Sequence, residues 1–445
     1  MRSIRIGTGA GYSGDRIDAA VDLVERGNLD YLVLEGLAER TTALAHLEKR
    51  EDPEKGYGQF FEARMYALLA LCKRKNVRIV TNLGAANPQA AARVVVRVAR
   101  DLDMNGLRVA TVLGADVASS IAKEDPHIWE TGEPVSHSDW ISADAYLGVE
   151  EMLPALAAGV DVIITGRVAD PSLFLAPMVS EWGWSLTDWD RLGKGTVLAH
   201  LLECGAQVTG GYFADGQKKR VDDLLHVGMP IVEVFENGEG IISKTPGSGG
   251  LVSVQTCKEQ LLYEVMDPST YITPDVVADF SNVQFQEVAE NCVHVTGGSG
   301  NARTDSFKVT LGVNQGFIGE GFIAYAGHGA IERAQMAQAI VEQRLKDAGI
   351  HAQDMKSDLV GMNALHGDAA GRPEPYEVMF RIAARAANQT MADRVGEEVE
   401  SLWLNGPGGP GGVRKYTRPV IAAYSTTIRR SAVKSNVKLV EVDER

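Results

Sequence analysis

Five short apolar runs recur through the first 170 residues: 4–8 (IRIGT), 30–35 (DYLVLE), 77–82 (VRIVTN), 107–113 (LRVATVL) and 161–166 (DVIITG). Between them lie stretches of helical period such as DAAVDLVERG and AARVVVRVARDL. Runs that are apolar at nearly every position belong to strands covered on both faces, and strands that alternate with helices pair in parallel. The pattern predicts an α/β fold whose N-terminal half is a mostly parallel sheet with helices on both faces. In such a sheet ligands sit beyond the carboxyl ends of the strands. Those ends carry Gly11 to Asp15, Glu35 to Thr41, Asn82 to Pro88, and Gly166, Arg167 and Asp170.

After about residue 215 the pattern changes to short strands and glycine turns, which predicts an α+β C-terminal half. PIVEVFENGEGIISK reads as a hairpin through Asn237-Gly238, and LVSVQTCKEQLLYEV as an amphipathic helix. Residues 351–375, with Gly367, Gly371, Pro373 and Pro375, read as a long loop. A strand in YEVMFRIAARA, a helix in QTMADRVGEEVESLWL, the Gly-rich turn 406–412 and a strand in RPVIAAYSTTI then form a small β-α-β unit. The expected domains are 1–210 (α/β), 211–350 (α+β) and 351–445 (the subdomain with the Gly-rich loop).

A chain of 445 residues with 45% hydrophobic and 23% charged residues can bury a large core. Its formal net charge of −15 argues against nucleic acid or an anionic membrane as partner. Cys72, Cys204, Cys257 and Cys292 show no paired spacing, and there is no long apolar run, so a reducing cytoplasm is expected.

Reactive side chains gather at the end of one predicted helix. His200, Glu203 and Cys204 fall within five residues, and His200 shares a face with Glu203 or with Cys204 before Gly205 stops the helix. These three are the catalytic candidates: a His-Glu acid/base pair, or a Cys204 nucleophile served by His200. Gly210 and Gly211 suggest backbone close to a ligand. Arg167 suits a substrate carboxylate or phosphate, with Ser13, Asn82 and Asn87 as neutral donors in the same cleft. The Gly/Ser loop 246–250, with Gly249 and Gly250, offers free N–H groups to an anion. Gly9, Gly11 and Gly14 match G-x-G-x-x-G with Glu35 at the ribose position, but Asp15 and Asp18 at the helix entrance oppose a pyrophosphate and argue against NAD. A divalent metal is the remaining cofactor option, with Asp15, Glu35 and Glu39 as ligands beside His200 and Glu203.

GYSGD, DYLVLEGLAERT, TNLGAANP, TGRVADPSLF, HLLECGAQVTGGYF, KTPGSGGLVSVQTCKEQLLYEVMDPSTYITPDV and NGPGGPGGVRK together resemble the acyclic terpene utilisation (AtuA-like) family over nearly the whole chain. Glu35 and Thr42 stand where the family pattern tends to have aspartate and methionine, which suggests a subgroup with its own substrate. The resemblance implies work on a small branched carboxylic acid or its acyl-CoA thioester, as in breakdown of citronellol and geraniol. It also implies a small ferredoxin-like domain in the longest members, which this chain is too short to hold after residue 430. A small companion subunit is the corresponding expectation.

An acid/base pair without a redox cofactor suits a lyase or hydratase. The alternatives are a thioester or amide hydrolase using Cys204, and a non-catalytic subunit that scaffolds a partner enzyme. Gly-rich surface loops and exposed apolar strands point to a homo-oligomer.

Overall fold

The computed structural model describes residues 2–367, 371 and 374–442; the expected loop residue Pro373 lies outside them. In chain order the first elements are β1 (Ser3–Ala10), α1 (Ile17–Arg26), β2 (Tyr31–Leu34), α2 (Glu39–Glu51), α3 (Phe61–Lys75), β3 (Arg78–Thr81) and α4 (Pro88–Asp101). They continue through β4 (Arg108–Leu113), α5 (Ala118–Glu124), β5 (Trp140–Ala145), α6 (Val149–Ala157), β6 (Val162–Thr165), α7 (Asp170–Trp182) and α8 (Trp189–Glu203). The five predicted runs are β1, β2, β3, β4 and β6, and they lie side by side in the order β1-β2-β3-β6-β4, every pair parallel.

Period-two geometry explains why these strands read as apolar throughout. Leu32, Leu34, Ile79, Val109, Val162 and Ile164 join one core cluster with residues of α1, α3 and α4. Their neighbours Val33, Val80, Ala110 and Ile163 point the opposite way and are equally buried. The helices α6, α7 and α8 pack in series, with α7 against β1 and β2 and α6 against β4.

The later elements are β7 (Pro230–Phe235), β8 (Gly240–Lys244), α9 (Val254–Leu262), β9 (Tyr271–Ile272), β10 (Val277–Asp279), β11 (Gln284–Ala289), β12 (Cys292–Thr296) and β13 (Ser299–Asn301). They end with β14 (Ser306–Ala326), α10 (Ala330–Asp347), β15 (Met355–Val360), β16 (Glu377–Ala386), α11 (Gln389–Asn405), β17 (Gly411–Arg429) and β18 (Asn436–Glu441). They correct the expectation of a mostly parallel sheet. β7, β8, β12 and β11 extend the sheet antiparallel from β1, and β18 adds antiparallel to β4. The resulting ten-stranded sheet is mixed, with more antiparallel pairs than parallel ones, and the fold is mixed α/β with eleven α-helices among the described residues. The physical reason is connection length. The β7-β8 turn through Asn237 and Gly238 (φ +85°) is too short for a parallel crossover. The loop expected over 351–375 is also corrected, because β15 pairs with β16 there.

By compactness the chain forms two units, Met1–Gly312 with Ala423–Arg445, and Val313–Ala422. The second unit runs strand, helix, strand, strand, helix, strand, and its sheet order β15-β16-β14-β17 is the ferredoxin-like split β-α-β arrangement. Its core joins Ile323, Tyr325, Phe380 and Ile382 of the strands to Ala334, Val341, Val395 and Val399 of α10 and α11. Among the described residues no helix is long and apolar enough to cross a membrane.

Candidate active site

The site begins where α8 ends against β1. Thr8 Oγ1 donates to the carbonyl of Leu202 (3.0 Å), and a Cβ on Gly11 would stand 2.5 Å from the Cys204 carbonyl carbon and the Gly205 nitrogen. Gly205 itself sits at φ +57°, a left-handed residue that ends the helix. Each glycine of the G-x-G-x-x-G spacing faces atoms of the chain itself. Gly9 faces Leu34, Leu32 and Ala20, Gly11 faces the end of α8, and Gly14 faces the Tyr12 ring.

On the last turn of α8, His200 Nδ1 lies 2.7 Å from Glu203 Oε1, as the i, i+3 spacing predicts. His200 is only 1% exposed and sits among the rings of Tyr271 and Phe280, at 5.1 and 5.6 Å. Its Nε2 has no hydrogen-bond partner among the described residues. Burial pulls the imidazole toward neutrality, but the charge and hydrogen bond of Glu203 outweigh it and raise the pKa above the usual histidine value. Of the pair, Glu203, with Cys204, lines the neighbouring cavity, and His200 stands behind it.

That cavity, about 430 Å³, lies at the carboxyl ends of β1, β2 and β6. It is lined by five acids, Glu35, Glu39, Asp170, Glu203 and Glu264, with Arg167 as the cation. A second cavity of about 250 Å³ shares Glu39, Arg167, Asp170 and Glu264, and adds Tyr146, Tyr271 and Lys308. Burial raises the Asp170 carboxyl to about 7; Arg167 pulls it down, while Glu203 and Glu39 push it up. Burial and then the Asp170 charge raise Glu35 well above the carboxylate range, against hydrogen bonds from Asn82 Nδ2 (3.1 Å) and the Leu37 N–H (2.8 Å). Burial also acts on Glu39, but the Tyr146 hydroxyl (2.6 Å) and Arg167 outweigh it and hold Glu39 low. Two carboxyls biased toward the acid form therefore share a cavity with one biased toward carboxylate, a division that acid/base chemistry needs.

Arg167 is buried and held through both terminal nitrogens, while its Nε has no partner among the described residues. Nη1 donates to the Leu37 carbonyl (2.6 Å), Nη2 reaches Asp170 Oδ1 (3.3 Å), and the guanidinium carbon lies 4.2 Å from the Tyr146 ring centre. Ser13 lines the large cavity. Asn82 is fully buried and holds Glu35 and the Gly36 N–H, so it positions the acid and does not itself line the cavity. Asn87 caps α4 through the Ala90 N–H and donates to the carbonyls of Pro53 and Lys55, beside a different cavity. Asp15 accepts from the Gly11 and Arg16 N–H groups. Among the described residues, no three His, Cys, Asp or Glu side chains are grouped so as to hold a metal ion, and Asp15 does not line the cavity with Glu35 and Glu39.

The glycine candidates serve the chain itself. A Cβ on Gly210 would meet Val221, and one on Gly211 would meet the Ala206 carbonyl oxygen. The Gly/Ser loop does not offer its N–H groups to an anion as expected: Ser248, Gly249, Gly250 and Leu251 donate to the carbonyls of Thr245, His226, Asp222 and Thr209. The Cys204 thiol is pushed up to about 12 by burial and then by the Glu203 charge. Glu264, Tyr146, Tyr263 and Tyr271 were not candidates in the sequence, and Asp170 stood there as a strand-end residue without an acid/base role. The one local signal for these residues is the position of Asp170 three residues after Arg167.

Comparison with known proteins adds one match. A family model described as acyclic terpene utilisation family protein AtuA covers residues 4–439 of the chain. No curated protein and no solved structure matches.

Proposed function

The chain belongs to the acyclic terpene utilisation family, which implies a role in acyclic terpene utilisation, and from that premise we propose an acid/base lyase or hydratase acting on a small branched carboxylic acid or its acyl-CoA thioester. The observation that carries this reading is the half-buried Asp170 carboxyl, raised to about 7, in one cavity with Glu203. A carboxyl that titrates near neutrality can give a proton and take it back at working pH.

In the dehydration direction, Glu203 removes the proton from the carbon beside the thioester carbonyl, and that C–H electron pair forms the carbon-carbon double bond. The C–O bond at the next carbon breaks, and the departing hydroxyl takes the Asp170 proton to leave as water. Hydration is the reverse. His200 Nδ1, 2.7 Å from Glu203 Oε1, orients that carboxyl group from behind. Arg167 holds Asp170 and the Leu37 carbonyl, and so acts on the substrate through Asp170. Hydrolysis through Cys204 is disfavoured, because a thiol at about 12 supplies little thiolate at neutral pH.

The test is turnover of a methyl-branched enoyl thioester, 3-methylbut-2-enoyl-CoA, followed by mass as gain of water. Glu203→Gln and Asp170→Asn are expected to lower the rate about 10²–10⁴-fold, the usual worth of a positioned acid or base. Cys204→Ala is expected to stay active. Release of free CoA that Cys204→Ala abolishes, or an undiminished rate in Glu203→Gln, would replace the proposal.

A further inference from the structure

A further cavity lies between α4 and the β4–β18 edge of the sheet. Arg93, Arg97 and Arg100 follow one another at i, i+4 and i+7 and therefore share a helix face. Opposite them, β18 pairs with β4 so that Lys438 lies beside Thr111 and Val440 beside Val109, a residue of the core that α4 covers. Lys438 and Val440 thus stand on the α4 side of the sheet edge. Between helix and strand is a cavity of about 380 Å³, with Ala92, Val96, Thr111 and Val440 as its floor and the three arginines and Lys438 around it.

The four cations are not equivalent. Arg93 is bonded through two nitrogens to Glu54 (2.8 and 2.9 Å), and Arg97 is bonded to Glu62 (2.8 Å). Arg100 and Lys438 make no ion pair among the described residues, in a chain whose formal net charge is −15. These two exposed cations, unpaired among the described residues and contributed by different elements, border the same apolar floor. Its volume falls within the range of about 300–1,000 Å³ that suits small organic ligands.

We infer that this cavity binds a small amphipathic carboxylate, its acid group between Arg100 and Lys438 and its hydrocarbon body on Ala92, Val96 and Val440. Inorganic phosphate would satisfy the cations and leave the apolar floor in water. A neutral hydrocarbon would cover the floor and leave the cations unpaired. Only an anion with a hydrocarbon body satisfies both. The inference stands apart from the acid-lined cavity and does not require the activity proposed for it.

Titration calorimetry of the full chain with octanoate, octanol and inorganic phosphate tests it. Octanoate is expected to bind saturably, and the other two at least about fivefold more weakly, in line with the modest worth of exposed charge pairs. Arg100→Gln with Lys438→Gln removes two exposed charges, which folding tolerates, and should weaken octanoate at least about fivefold. Val96→Glu, which places a negative charge on the floor, should abolish binding. Glu203→Gln, in the other cavity, should leave binding unchanged. Equal octanoate affinity in the double variant and the parent overturns the inference, as does octanol or phosphate binding as tightly as octanoate. Loss of octanoate binding in Glu203→Gln places the ligand in the acid-lined cavity and also overturns it.

Discussion

A methyl group at position 11 would meet backbone atoms of residues 204 and 205, which cannot rotate away as a side chain can. Gly11→Ala is therefore expected to lower unfolding free energy by about 1–3 kcal/mol, the usual cost of overpacking, and to shift the denaturant midpoint without changing the slope. An unchanged midpoint would show that the end of α8 yields. Much of the candidate site was legible at this scale, because His200, Glu203 and Cys204 form one local cluster, and Glu35, Glu39 and Arg167 follow directly from strand ends. Which of the pair faces the cavity was not legible. That depends on Tyr271 and Phe280, about 70 and 80 residues downstream, closing over the imidazole. Glu264 was illegible for the same reason, since nothing in its neighbourhood announces that the loop after α9 turns back to the β2 end.

At the scale of elements, α7 shows a conflict between local and tertiary electrostatics. Asp170 opens this helix, where the dipole favours its charged form, yet burial raises the carboxyl to about 7. A carboxyl that binds its proton more tightly folded than unfolded loses stability as pH rises from about 4, its unfolded value, through 7. His200, raised by Glu203, adds the same sign: its stabilisation is full below about 6.5 and is lost as pH passes its folded value. The melting temperature is thus expected to fall between pH 5 and pH 8, with a smaller fall in Asp170→Asn; equal slopes in variant and parent would remove Asp170 as the cause. Element type was largely legible, because β2 and β6 are buried at every position and read as unbroken apolar runs. The antiparallel flanks were not, since partner choice for β7 and β18 is set by distant chain, and β15 (MKSDLV) carries too much polar sequence to read as a strand.

The whole molecule has two compact units with separate cores. Calorimetry is expected to show two transitions, and Phe380→Ala, which empties a fully buried position of the second core, should lower one of them by about 3–5 kcal/mol and leave the other in place. A single transition that moves as a whole would show the two units to be one cooperative body. A domain of ferredoxin-like shape lies within the chain, at Val313–Ala422.

The pairing of β18 with β4 carries a consequence for how the protein is made. The strand that closes the outer edge of β4 leaves the ribosome only after residues 313–422 have done so. At roughly 5–20 residues per second, a nascent chain holds that edge open for some tens of seconds. During this interval the inserted unit can finish folding, while the segment Arg108–Leu113 presents an unpaired hydrogen-bonding edge to whatever meets it. A strand made after the inserted unit is thus the one that ends the exposure of the β4 edge.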